Sequence, residues 1–121
     1  EFRRVLFRSL VLQEVAGRLE KATGTTEFCG RFGGEEFLVC LSAECENAAA
    51  RARVILSDIT EGPIFFGKTH IRITCSAGLA SRQPWDTWET CLERADAALY
   101  SAKQSGRDRL VLGEPTTASH L

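Results

Sequence analysis

Arg31-Phe32-Gly33-Gly34-Glu35-Glu36-Phe37 is the stretch whose reading decides the fold. It sets two glycines and two carboxylates between the apolar runs Phe28 to Phe32 and Phe37 to Leu41. Gly-Gly between such runs is a two-residue hairpin signal. Glycine there accepts positive φ and lets a backbone or phosphate of another molecule come close. Side chains on a strand alternate with period two, so Glu35 and Glu36 are expected on opposite faces. At least one carboxylate then stands at the hairpin tip, where a divalent cation can be held beside a phosphate. The same residues also read as a tight turn followed by two solvated glutamates.

Working outward, Leu12, Val15, Ala16 and Leu19 recur at helical spacing and predict a helix over Val11 to Ala22. Gly24 and the neighbouring threonines end it. Ala48, Ala49, Ala52, Ile55, Leu56 and Ile59 predict a second helix over residues 46–60, stopped by Gly62-Pro63. Ile64 to Phe66 reads as a short strand turned at Gly67-Lys68. His70 to Ala80 alternates with Ile71, Ile73, Cys75, Ala77 and Leu79 on one face and reads as one longer strand. A third helix is expected from about Thr87 to Gln104, with Leu92, Ala95, Leu99 and Ala102 inward and Gly106 as C-cap. Leu110 to Leu112 suits a last strand, and residues 113–121 a frayed tail. Helices alternating with antiparallel hairpins predict an α+β domain whose helices pack on one main sheet.

The 121 residues, 44% apolar and 26% charged, are enough for one domain with a modest core. A net charge of -1 gives no electrostatic case for nucleic acid or an anionic membrane as partner. The five cysteines show neither a CxxC pair nor zinc spacing and read as reduced core thiols of a cytoplasmic domain. No apolar run approaches the roughly 18 residues of a membrane span, and no signal peptide is evident. Trp85 and Trp88, after Pro84, read as local packing anchors. Asp96 and Tyr100, one turn apart, read as packing and hydrogen-bonding residues. Arg31 reads as pairing with a neighbouring carboxylate, with phosphate contact as the other possibility.

Two separated segments resemble one family. Arg31 to Phe37 is similar to the signature hairpin of GGDEF domains, in a GGEEF form. Ala95-Asp96-Ala97-Ala98-Leu99-Tyr100-Ser101-Ala102-Lys103-Gln104-Ser105-Gly106-Arg107 resembles the family's closing helix, written ADxALYxAKxxGRNR. Thr74 to Ala80 is similar to the strand before that helix, and Leu12, Val15, Ala16 and Leu19 match the helix leading into the hairpin. The resemblance spans about residues 10–112. It implies a fold like the palm of polymerases and adenylyl cyclases, a mainly antiparallel sheet wrapped by helices. It also implies a diguanylate cyclase, condensing two GTP molecules into cyclic di-GMP and pyrophosphate between two facing domains of a homodimer. The cofactor implied is Mg²⁺ or Mn²⁺, and an upstream sensory or receiver domain is implied as partner.

Residue by residue, the resemblance makes Glu35 a metal ligand and proton acceptor and Glu36 a second carboxylate of the metal cluster. Gly33 and Gly34 let substrate lie against the turn. Lys103 and Arg107 match basic residues that reach the terminal phosphates, and a spacing of four puts them one turn apart if the helical path continues past Gly106. Cations at a helix C-terminus are also favourable without any ligand.

The chain departs from the family in two places. Complete domains carry upstream a segment resembling DxLTGLxNR, an Asp-bearing strand, an Asn/Asp pair for guanine, and Gly-Asp where Arg8-Ser9 stands here. Glu1 to Ser9 is therefore expected to be foreign or disordered sequence before a domain lacking its first strand, and the 121-residue chain alone is expected to be inactive. The window five residues before the hairpin, RxxD in many members, reads Gly24-Thr25-Thr26-Glu27, so tight product inhibition there is not expected. The competing reading from another class is a degenerate domain that binds GTP or a protein partner and acts only as a regulator.

Overall fold

A computed structural model of the protein describes residues 2–42 and 45–114, with residues 2–9, 45 and 46 as backbone only. In chain order the elements are α1 (Phe2–Ala22), β1 (Phe28–Gly33), β2 (Glu36–Cys40) and α2 (Cys45–Thr60). There follow β3 (Ile64–Phe66), β4 (Thr69–Ile71), β5 (Ala77–Leu79), α3 (Trp88–Gln104) and β6 (Leu110–Leu112). Two antiparallel strand pairs, one parallel pair and three helices among the described residues make the α+β class expected from the sequence, with these strands in three two-stranded ladders where one main sheet was expected. From residue 115 onward the expected frayed tail lies outside the described residues. No described helix is long and apolar enough to cross a membrane.

The chain divides into two units. The first contains α1, the β1–β2 and β3–β4 hairpins, and α2 from Val54 onward. Helix α1 begins at Phe2, well before the Val11 start that periodicity suggests, so backbone regularity extends over a stretch without a readable apolar stripe. Of that stripe, Leu19 is the fully buried member. Thr23 closes the helix, its amide N–H and its hydroxyl each donating to the Leu19 carbonyl at 3.0 Å. In β3–β4, Ile64 faces Ile71 and Phe66 faces Thr69 around the Gly67-Lys68 turn, as read from the sequence.

Arg18 fastens this unit in a way the sequence does not announce. Its Nη1 donates to the carbonyls of Ile59 (2.8 Å), Glu61 (3.1 Å) and Gly62 (3.1 Å), and its Nη2 donates to Pro63 (3.0 Å). The last carbonyls of a helix have no partner within the helix, and a cation there also meets the negative end of the helix dipole. Arg18 thereby caps α2 from α1, with Glu14 holding its Nε at 3.2 Å. Arg18→Met keeps the aliphatic stem and removes every one of these bonds. The expected cost is about 2–3 kcal/mol in urea denaturation, and an unchanged midpoint would show that water replaces the guanidinium without loss.

The second unit holds α2 up to Arg53, then β5, α3 and β6. Strands β5 and β6 are parallel, with Ala77, Gly78 and Leu79 opposite Leu110, Val111 and Leu112, and α3 supplies the crossover such pairs need. The expected single strand from His70 to Ala80 is two strands. Alternation reports extended backbone and facing, but not the partner. Here β4 pairs with β3 and β5 with β6, while residues 72–76 between them join neither ladder.

Helix α3 starts at the Thr87 N-cap, whose hydroxyl accepts from the Thr90 N–H at 3.1 Å while the Thr90 hydroxyl accepts from the Thr87 N–H at 3.0 Å. Beneath this reciprocal cap lies Asp86, the buried acid of the described residues, only 6% exposed. Its carboxylate accepts from the Gln83 N–H at 2.8 Å and the Thr90 hydroxyl at 3.0 Å, and it pairs with the Arg94 guanidinium. The Gln83 N–H, then the Thr90 hydroxyl and Arg94, together outweigh desolvation and hold Asp86 below the usual carboxylate range. A depressed folded value stabilises the fold above the unfolded value of about 3.9, and that contribution is lost as pH falls through the folded value. Asp86→Asn is therefore expected to melt below wild type at pH 7, the gap closing as pH drops below about 4. A gap of constant size from pH 7 to pH 2 would count against an ionised Asp86.

Trp85 and Trp88 are 41% and 53% exposed after the turn at Pro84, and Tyr100 on the outer face of α3 is 66% exposed, so any packing by these rings is local and at the surface. Cys29, Cys40, Cys75 and Cys91 are free thiols as expected, though half-buried rather than central. The inward face of α3 is carried most fully by Ala98 and Ala102.

Candidate functional site

The signature hairpin turns one residue later than the sequence suggests. Gly33 ends β1 opposite Glu36, so Gly34 and Glu35 form the turn in place of Gly33 and Gly34. Gly34 has φ 52, the left-handed value for which glycine is suited at the first central position of a hairpin turn. Glu35 therefore sits at the tip, and period-two alternation does not govern it. Glu36 opens β2, and both glutamates are exposed. Where a neighbouring carboxylate was expected as partner, Arg31 donates to the backbone carbonyl of Gly34, with Nε at 3.0 Å and Nη2 at 2.7 Å.

Two hard carboxylates on neighbouring positions suit Mg²⁺ or Mn²⁺, which prefer oxygen ligands and commonly share one or two carboxylates with substrate phosphates. No group of three or more His, Cys, Asp or Glu able to hold a metal ion occurs among the described residues. The donor set fits an ion shared with phosphate, and by itself encloses none.

The basic pair lies in the other unit. Lys103 is in the last turn of α3 and half-buried. Arg107 is exposed and does not continue the helix, since α3 stops at Gln104 and the C-cap is Ser105 rather than Gly106. Gly106 follows with φ 120, and the Arg107 N–H donates to the Ala102 carbonyl at 2.9 Å. That six-to-one bond over a glycine closes a helix in the Schellman manner and carries the chain away from the helical path. Arg107 (φ 63) and Asp108 (φ 47) are both left-handed, a conformation held where the Asp108 N–H donates to the Ser76 hydroxyl at 3.1 Å. The condition for Lys103 and Arg107 to stand one helical turn apart, a helical path continuing past Gly106, is not met. The structure brings Gly33, Gly34, Glu35 and Glu36 together in one unit and Lys103 and Arg107 in the other.

Ahead of the hairpin, the Glu27 carboxylate accepts from the Gly24 N–H at 2.7 Å, turned back on its own loop. Sequence reasoning did not find Ser76 or the Arg31 bond to Gly34. The Thr74-Cys75-Ser76-Ala77-Gly78 motif was the available signal for Ser76.

A hairpin tip with paired carboxylates on a glycine turn, and a helix end with a lysine and, beyond a glycine, an arginine, stand within an α+β fold where the two sequence motifs place them. The chain belongs to the GGDEF family: the model described as "Diguanylate cyclase, GGDEF domain" matches residues 9–109. It is similar to diguanylate cyclase DgcP of Pseudomonas aeruginosa, 43% identical over 101 residues that cover 83% of this chain and 15% of that protein. It is also similar to diguanylate cyclase A of Treponema denticola, 36% identical over 107 residues, 87% of this chain and 29% of that one. The chain thus spans less than a third of the length of either relative. The crystal structure of the GGDEF domain of PA1120 (YfiN or TpbB) from Pseudomonas aeruginosa matches with TM-score 0.79 at 28% identity, covering 88% of this chain and 68% of that one.

Proposed function

We propose that this chain supplies the catalytic hairpin and the phosphate-binding helix end of a diguanylate cyclase of GGEEF type. The observation that carries the reading is the left-handed Gly34 turn with Glu35 and Glu36 both exposed at its tip. Glu35 accepts the proton of a ribose 3′-hydroxyl as its oxygen bonds to the α-phosphorus of a second GTP and the bond to pyrophosphate breaks. Two such steps, one from each of two facing copies, close cyclic di-GMP and release two pyrophosphates. Glu36 and Glu35 would hold Mg²⁺ or Mn²⁺, which when bound lowers the hydroxyl's pKa and offsets charge on the phosphate oxygens. Gly33 and Gly34 have no side chain to keep phosphate away from the turn. Lys103 and Arg107 neutralise the terminal phosphates, and the left-handed backbone at Arg107 presents its guanidinium off the helix axis.

The test is product formation from GTP and Mg²⁺, read by chromatography. The protein at its full natural length is expected to yield cyclic di-GMP, and GTP left intact would sink the cyclase reading. The 121-residue chain alone is expected to yield none, since its described residues offer no third ligand to complete a metal cluster with the glutamates. GTP binding without turnover in the full-length protein would instead favour the regulatory reading.

A further inference from the structure

The signature hairpin carries an irregularity. Arg31 stands opposite Phe37 and Gly33 opposite Glu36, so Phe32 is an extra residue on β1. Such a bulge bends its strand and re-aims the side chains beyond it. It falls immediately before the turn that bears Glu35. Nothing lies within 4 Å of where a Cβ on Gly33 or Gly34 would stand, so packing does not brace the turn from those sides.

Arg31, the charged residue of β1, reaches over the bulge. Its Nε and Nη2 share one planar edge, and both donate to the Gly34 carbonyl, at 3.0 and 2.7 Å. Two donors from a rigid fork fix an acceptor in direction as well as in distance. The carbonyl of Gly34 and the N–H of Glu35 belong to one planar peptide unit. Holding that carbonyl therefore holds the plane from which the Cα–Cβ bond of Glu35 departs.

We propose that Arg31 is a positioning residue, which clamps the bulged turn through the Gly34 carbonyl and so sets the aim of the Glu35 carboxylate. Its consequence for turnover rests on the cyclase reading, whereas its effect on the turn does not. The alternative role for this arginine is direct contact with a substrate phosphate, which needs charge but no planar fork.

Arg31→Lys and Arg31→Gln separate the two. Lysine keeps the charge but cannot deliver two donors from one plane. In the full-length protein both variants are expected to lower kcat about tenfold with KM for GTP within about twofold, the signature of lost alignment. In the 121-residue chain, ¹⁵N order parameters at Glu35 and Glu36 are expected to fall from about 0.85 toward 0.6 in both variants, with thermal melts near wild type. A raised KM with kcat preserved in Arg31→Gln, together with wild-type kinetics in Arg31→Lys, would make Arg31 a phosphate contact and overturn the proposal. Unchanged order parameters would overturn it without recourse to turnover. Wild-type protein that makes no cyclic di-GMP would defeat the cyclase reading, and the order parameters would still decide the clamp.

Discussion

Gly78→Val leaves no folded second unit, and Gly78→Ala lowers its stability by roughly 3–5 kcal/mol, at the upper end for single substitutions. A Cβ at Gly78 would fall inside the contact envelope of the Ala95 carbonyl oxygen and the Leu99 amide nitrogen, and 3.0 Å from the Ala98 carbonyl carbon. These are backbone atoms in the middle of α3, and no rotamer change moves them aside. Strand β5 would have to leave the helix, and its ladder to β6, with Gly78 opposite Val111, would go with it. Circular dichroism and thermal melts of the two variants provide the measurement. An alanine variant that melts within about 2 °C of wild type would show that strand and helix are not held at this spacing.

Glu35→Gln is the substitution with the largest expected effect on activity. Glutamine keeps the shape of the side chain and removes the carboxylate proposed as proton acceptor and metal ligand. A loss of about 10²–10⁴ in turnover is expected for a general base, measured as cyclic di-GMP formed from GTP by the full-length protein. Stability is expected to change by less than about 0.5 kcal/mol, because the residue is exposed at a turn. Glu35→Asp, the residue of the family's GGDEF spelling, is expected to keep measurable turnover. Full activity in Glu35→Gln would remove Glu35 from the chemistry.

Much of the fold is legible in local patterns. The apolar spacing from Ala48 to Ile59, followed by Gly62-Pro63, marks α2, and Thr87 with the stripe to Ala102 marks α3. What escapes is pairing at a distance. Nothing around Arg18 points to carbonyls at Ile59 to Pro63, and nothing around Asp86 singles out Arg94, since charged residues at the surface and in buried pairs look alike in sequence. The strand ending at Ile71 and the one beginning at Ala77 share one alternation, so their different partners were invisible. In the candidate site, the residue types were readable and the geometry was not. Counting Gly-Gly as the turn misplaced Glu35 by one residue because a bulge has no local signature beyond glycine, and whether the helical path continued to Arg107 could not be read from the spacing alone.

The β5–α3–β6 segment also bears on the order in which the chain assembles. Ala77 to Leu112 is one uninterrupted stretch whose parallel strands meet through a single intervening helix. The first unit, by contrast, must join α1 and the signature hairpin to Val54 and beyond across the first half of α2. Closing a short contiguous loop costs less chain entropy than gathering separated ones, so the strand–helix–strand stretch has the kinetic advantage. The helix end that carries Lys103 and Arg107 would then be shaped before the first unit is complete, although most of that unit leaves the ribosome earlier.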